Sequence, residues 1–332
     1  MNIEAYELVA SNAGFKGLRR TERPKPIPGP GQVLVRLRAA SLNSRDLAIA
    51  GNRYFPVPVM RNTIPLSDGA GEVEAIGDSV RRFAPGDRVV AAFKQAAGSL
   101  GVPLDGTLTQ YAVFSETGLL PIPENLSFEE AATLPVAAVT AWNAICGGRP
   151  IRAGECVLTL GVGGVAIFAL QIAKTCGARV IVVSSDDRKL EKSREIGADE
   201  VINRVRHPQW ASAVLELTGG AGVEKVVELF GAETLEQSYQ AVAAGGEIAL
   251  VSGSKRRDIM GLEPHPLIWK SATLRGVACG NTDHFERVNA LISHHKLTPI
   301  IDSVYSFQDA ELAYQSMHEN RHVGKIVIVI QE

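Results

Sequence analysis

Six residues, Gly161-Val162-Gly163-Gly164-Val165-Ala166, carry the most specific chemical signal in the chain. They follow an apolar, β-like run, Cys156 to Leu160, and open a helix-like apolar run. In that setting G-x-G-x-x-A is a dinucleotide-phosphate turn. Gly161 permits the tight bend, Gly163 lets backbone approach a pyrophosphate with no Cβ in the way, and Ala166 keeps helix close to strand. Gly164 and Val165 then begin a helix whose free N–H groups and positive end attract phosphate. The same glycines could simply close a βα turn, but the strand before, the helix after and the βα units behind them favour dinucleotide binding.

The cofactor's 2′ position is read at the end of the following strand, roughly 20 residues on, where the chain runs Val182-Val183-Ser184-Ser185-Asp186-Asp187-Arg188-Lys189. Ser184 falls where an NAD-selective site places an acid. Ser184 and Ser185, with Arg188 and Lys189 nearby, suit a 2′-phosphate, so NADP(H) is favoured over NAD(H). A plainer reading makes Ser185 or Asp186 the N-cap of the next helix and Lys189 part of its solvated face. Asp186 or Asp187 could also reach the ribose.

The elements that must position these groups follow from pattern. The first 125 or so residues are broken by turn formers such as Pro28-Gly29-Pro30-Gly31 and Pro85-Gly86-Asp87, with β-like runs between them, and Gln32 to Ala39 alternates like a half-buried strand. Ser127 and Glu130 form a capping-box pattern before an apolar periodic run, so a helix should start there. Beyond it strands and helices alternate, which argues for a parallel sheet covered on both faces. The expected division is 1–126, β-rich; 127–280, dinucleotide-binding; and 281–332, returning to the first part.

Composition narrows the classes. With 34 Lys and Arg against 36 Asp and Glu, and no long basic run, the chain shows no electrostatic footprint for nucleic acid or an anionic membrane. Its four cysteines are too scattered for a disulfide framework or a paired-cysteine metal knuckle, and fit a reducing, cytosolic (cytoplasmic) setting. The amino terminus lacks a basic region followed by an apolar core and does not read as a secretory signal. Cys156 to Ala173 is uncharged and approaches the roughly 20 residues of a membrane span. Its central glycines and its change from β-like to helix-like pattern point instead to strand, turn and buried helix.

The chain resembles the medium-chain dehydrogenase/reductase superfamily, and within it the zinc-independent, quinone-oxidoreductase-like branch. The resemblance rests on AASLNSRDL (39–47), PLSDGAGEVEAIGDSVRRFAPGDRVV (65–90), AATLPVAAVTAW (131–142), VLTLGVGGVAIFALQIAK (157–174), IGADEVIN (196–203) and HVGKIVIV (322–329). It implies an α/β fold, a Rossmann doubly wound parallel sheet inserted in a GroES-like β-rich catalytic domain, a cleft between them and usually a homodimer. The implied activity is NAD(P)H-dependent hydride transfer to a small quinone or α,β-unsaturated carbonyl. Metal-free oxidation of an alcohol, or cofactor binding without turnover, are the alternatives.

The resemblance also poses the zinc question. Zinc alcohol dehydrogenases of this superfamily have Cys where this chain has Asn43, a His-Glu pair where it has Ser67-Asp68, and Cys or His where it has Val136. Zinc wants several thiolate, imidazole or carboxylate ligands, and Asp68 alone cannot hold it. Residues 92–106 contain no cysteine, so the four-cysteine structural lobe is missing, and all seven histidines lie beyond residue 206. His318 and His322, one helical turn apart, lack a third ligand and read as surface histidines. No metal is expected. Asn43 is then either the donor to the substrate oxygen or a turn-stabilising residue, and Tyr54 either a substrate-side phenol or a packed loop aromatic. Asp46 is expected to cap or orient its loop, and Asp68 to pair with Arg45 or another cation. On the cofactor side the resemblance points to Thr140, Asn203, Phe230, Val251, Ser252, Gly253 and Cys279. It adds Lys325, either on the cofactor or capping the catalytic domain.

Overall fold

The computed structural model describes residues 1–9, 14–54, 62–251 and 263–330. The chain forms two units, Met1–Ala137 with Asn281–Glu332, and Ala138–Gly280. Ser252 and Gly253 lie outside the described residues.

The first unit is built on a mostly antiparallel sheet in the order Ile301–Ser306, Lys325–Val329, Gln32–Ser41, Asp68–Ile76, Arg88–Ala91, Leu119–Pro121, with Tyr111–Ser115 also on Gln32–Ser41. Its central strand was expected to alternate as a half-buried surface. Instead it buries Val33, Leu34 and Val35 in succession, and past the expected range Ala40 and Ser41 follow Ala39 into the interior, because both faces are covered. Register there sets the site. Ser41 lies opposite Asp68, and Val327 lies opposite Ser41. Lys325, two residues before Val327, therefore arrives beside Asn43 at the start of helix Ser44–Ala50.

The boundary expected after residue 126 falls after Ala137, because the intervening segment is fastened to the first unit. Ser127 and Glu130 make their capping box around helix Phe128–Ala131. The Ala132 carbonyl accepts from Ser41 Oγ at 2.9 Å, and Val136 N–H donates to Asp68 Oδ1 at 3.1 Å. The helix expected to run on from Ser127 is interrupted. Pro135 has no N–H for the ladder, which widens into a π turn over Leu134–Ala138 before α-helix Val139–Cys146 resumes.

The second unit is a six-stranded parallel sheet in the order Glu200–Asn203, Arg179–Ser184, Cys156–Leu160, Val223–Glu228, Val242–Leu250, Thr273–Gly276. Cys156–Leu160 is buried at every residue, as a central parallel strand with helices on both faces must be. Strand order reverses between Cys156–Leu160 and Val223–Glu228, the point where such sheets open a ligand crevice at their carboxyl ends. The suspect apolar stretch resolves into that strand, a turn and helix Gly164–Thr175. Among the described residues no helix is long and apolar enough to cross a membrane.

Candidate active site

The predicted residues gather into two groups, one in each unit. In the second, Gly161 has φ +85°, and a Cβ there would meet the Phe230 ring at 3.3 Å, so glycine answers both a left-handed backbone and a close approach. Gly163 differs: its backbone is extended, and a Cβ on it would meet nothing within 4 Å. Glycine is unnecessary for the fold there, and the open space suits a pyrophosphate. Helix Gly164–Thr175 has no side-chain cap, so the first-turn N–H groups of Gly164, Val165 and Ala166 are left for a ligand. A nicotinamide dinucleotide fits this cradle.

Around it, Ser184 is buried at the end of its strand and Ser185 is exposed. Asp186 is the N-cap, accepting from the backbone N–H groups of Arg188 and Lys189 at 2.9 and 3.3 Å. Asp187 takes Asn203 Nδ2 at 2.7 Å and pairs with Arg206. Both acids that could have reached a ribose are therefore engaged by protein, and Asn203, expected at the cofactor, serves to hold Asp187. Thr140 is buried in the first turn of Val139–Cys146, Val251 is partly exposed just past its strand, and the Cys279 carbonyl accepts from Asn143 Nδ2.

Glu228 is a residue that sequence reasoning missed. Fully buried at the end of its strand, its carboxylate accepts from Phe230 N–H (2.8 Å), Gly231 N–H (3.0 Å), Thr234 Oγ1 (2.7 Å) and Ser238 Oγ (2.6 Å). It thereby fixes the turn that sets Phe230 against Gly161. The available signal was an acid ending an apolar strand, with Thr and Ser following on the next helix.

In the first unit, Asn43, Asp68 and Lys325 converge. Lys325 Nζ donates to Leu42 O (2.6 Å), Asn43 Oδ1 (2.7 Å) and Asp68 Oδ2 (3.2 Å), which uses all three ammonium hydrogens. Of the two roles open to Lys325, on the cofactor or capping the catalytic domain, its surroundings favour the second: it is 2 % exposed and its ammonium is held by groups of this unit. Asp68 is fully buried and pairs with Lys325, not Arg45. It also accepts from Asn43 Nδ2 at 2.8 Å and Ser41 Oγ at 3.0 Å. Burial pushes the Asp68 carboxyl up and the Lys325 ammonium down, while their mutual attraction opposes both shifts. Next to them Asp46, accepting from Asn43 N–H at 2.7 Å, is raised by burial to about 6 against the nearby Arg45 cation. The Arg45 guanidinium lies 4.7 Å from the rings of both Tyr54 and Phe93, so Tyr54 has one face committed. His318 packs on Phe15, and His322, expected at the surface, is buried.

Residues 29–124 match the alcohol dehydrogenase GroES-like domain family and residues 164–294 the zinc-binding dehydrogenase family. A zinc-type alcohol dehydrogenase-like protein of Schizosaccharomyces pombe is 39% identical over 96% of each chain. The chain belongs to the medium-chain dehydrogenase/reductase superfamily. A chloroplastic quinone-oxidoreductase of Triphysaria versicolor is 30% identical over 98% of each chain. The crystal structure of an NAD-dependent alcohol dehydrogenase superposes with a TM-score of 0.91 at 32% identity, over 99% of this chain and 100% of that one. This medium-chain dehydrogenase/reductase is a quinone-oxidoreductase-like enzyme of an NAD(P)-binding family.

The zinc in the superfamily's vocabulary does not fit the donor set here. Asn43 offers an amide, Val136 only a backbone N–H that already donates to Asp68, and the one carboxylate is paired with an ammonium. Three oxygens converge on a cation, but that cation is Lys325 Nζ. Among the described residues no cluster of three or more His, Cys, Asp or Glu could hold a metal ion.

Proposed function

We propose that this medium-chain reductase transfers hydride from NADPH to a quinone or an α,β-unsaturated carbonyl without using zinc. The observation that carries the reading is the Asn43–Asp68–Lys325 centre. Lys325 fixes Asn43 Oδ1, so the amide cannot flip, and Asp68 takes one Nδ2 hydrogen. The second Nδ2 hydrogen remains to donate to a substrate oxygen. One oriented donor suits an acceptor already activated by conjugation, whereas an unactivated alcohol or aldehyde calls for a Lewis acid.

The dinucleotide supplies the hydride when bound. Its pyrophosphate would lie against the backbone of Gly161, Gly163, Gly164 and Val165, and its 2′-phosphate beside Ser184, Ser185 and Lys189. Thr140, Phe230, Val251 and Cys279 would serve its nicotinamide half. Tyr54, with one ring face on Arg45, offers its hydroxyl as the group left for a substrate.

Steady-state NADPH oxidation with a quinone, an enone and an aldehyde tests the reading. Turnover of the first two but not the aldehyde is expected, and NADPH binding without turnover of any would sink it. One tightly held zinc per chain in the purified protein would overturn the metal-free mechanism. Asn43→Ala is expected to lower kcat on the order of 100-fold with a smaller change in KM, the scale for losing one oriented oxyanion donor; unchanged kcat would remove Asn43 from the chemistry. Ser184→Asp is expected to shift preference from NADPH towards NADH by about tenfold or more, as an acid beside a 2′-phosphate costs at least ~1.4 kcal/mol. Unchanged preference in parallel cofactor titrations would place 2′ recognition elsewhere.

A further inference from the structure

The hydride-transfer reading gives no part to Asn143 or Arg275, although the second unit is closely built around both. Asn143 lies in the last turn of helix Val139–Cys146, one turn after Thr140. Its Nδ2 donates to the Cys279 carbonyl, and its Oδ1 accepts from Arg275 Nη1 at 3.1 Å. Arg275 Nη2 donates to two carbonyls at the end of the same helix, Asn143 O at 2.7 Å and Gly147 O at 3.0 Å. The guanidinium is held from behind as well. Its Nε donates to Glu247 Oε1 at 3.1 Å, and Glu247 is fixed in turn by the fully buried Lys225 Nζ at 2.7 Å and by Arg149 N–H at 2.9 Å. The chain leaves room for these groups: a Cβ on Gly147 would collide with Asn143 Oδ1, and one on Gly148 with Arg275 Nε.

What these bonds hold is a strained turn. Cys279 has φ +53°, a left-handed conformation that costs a residue with a Cβ roughly 1–2 kcal/mol. It lies just beyond strand Thr273–Gly276, at the carboxyl end of the parallel sheet, where such sheets take their ligands. Strain of this kind persists only where the surroundings impose it, and the Asn143 amide is the side chain that grips the Cys279 carbonyl. With its oxygen on Arg275 and its nitrogen on Cys279, the amide has one orientation.

We propose that Asn143, oriented by Arg275, is a positioning residue for the nicotinamide half of the cofactor, holding the Cys279 turn in the backbone conformation that receives the ring's carboxamide. The inference rests on the reading of Cys279 as a nicotinamide-side residue. Neither side chain needs to touch the cofactor. Asn143 fixes the turn through one hydrogen bond, and Arg275 keeps the amide from turning over, which would set oxygen against oxygen at Cys279. The same guanidinium gathers the carbonyls that end the helix, where a cation is favoured. It thereby ties the helix that carries Thr140 and the Cys279 turn into one piece. Ring placement governs hydride transfer, so loosening this piece costs the nicotinamide half and leaves the adenine half, bound at the phosphate turn and Ser184, undisturbed.

Asn143→Asp separates this role from a merely structural one, because it keeps an oxygen for Arg275 and loses only the donor to Cys279. Calorimetric titration of the full-length protein with NADPH, and with 2′,5′-ADP as the adenine half alone, measures the nicotinamide's share. NADPH is expected to bind about tenfold more weakly, the scale of one lost hydrogen bond, with 2′,5′-ADP affinity unchanged. Arg275→Met leaves Asn143 its donor but frees the amide to turn, and should weaken NADPH with the same selectivity and by a smaller factor. Unchanged NADPH affinity in either variant, or an equal loss for both ligands, would overturn the proposal. Failure of the unsubstituted protein to bind NADPH would instead strike the cofactor reading itself, and the proposal would fall with it.

Discussion

Asp68→Ala is expected to destabilise the protein by about 3–5 kcal/mol, the scale for stripping the partner from a buried charge. Lys325 is 2 % exposed, and Asp68 is its only anionic partner within an ion-pair distance among the described residues. Without that carboxylate the ammonium keeps two neutral acceptors, Leu42 O and Asn43 Oδ1, and must lose its proton or distort the sheet. Ser41 Oγ, Asn43 Nδ2 and Val136 N–H would each lose an acceptor as well. Urea denaturation at neutral pH measures the effect. The control is the double variant Asp68→Leu, Lys325→Met, which removes both charges and should recover a large part of the loss, since buried ion pairs are often replaceable by apolar residues of similar size. A loss below ~1 kcal/mol in the single variant would mean that Lys325 finds water or another partner, and the centre would not be the fixed one argued above.

Gly163→Val is expected to separate binding from folding. The extended backbone accepts valine and no atom stands within 4 Å of the new Cβ, so the stability cost should stay under about 1 kcal/mol, the size of an N-cap effect. The branched side chain would instead fill the space beside the free N–H groups of the helix. NADPH affinity should fall at least ~100-fold, equivalent to about 2.7 kcal/mol. Gly161 gives the contrast: there, φ +85° and the Phe230 ring make even alanine a folding problem. Fluorescence titration with NADPH, alongside thermal melts without it, distinguishes the two. Near-normal affinity for Gly163→Val would show that no phosphate lies against this turn.

What could be read in the sequence and what could not divides along chain distance. The strand–turn–helix at Gly161 to Ala166 was legible because glycine spacing, the apolar strand before it and the apolar helix after it are all local. The Ser127 capping box is legible for the same reason; the π turn at Pro135 is not, because the apolar period runs on through it. For Lys325 the sequence leaves two roles open, because its partners are set by register. Nothing near residue 325 says that its strand pairs antiparallel with Gln32–Ser41, and only that pairing brings an ammonium to Asn43 and Asp68. Asp68 was rightly expected to find a cation, but the nearest one in sequence, Arg45, is taken up by Leu100 O and the rings of Tyr54 and Phe93. Glu228 escaped notice because its four donors come from a turn and a helix whose positions relative to the strand end exist only once the sheet is built.

The Lys325–Asn43 contact spans 282 residues of sequence. During synthesis, Asp68 and Asn43 emerge early and then wait while the whole Rossmann unit is made before their counter-ion appears. Closing so long a loop brings little reward until the strand Lys325–Val329 docks. A nascent chain released short of Lys325 would hold a buried carboxylate with no cation to answer it, and should remain a client of the cell's quality control. The residue that holds the Asn43 amide would then also mark the moment at which the β-rich unit is complete.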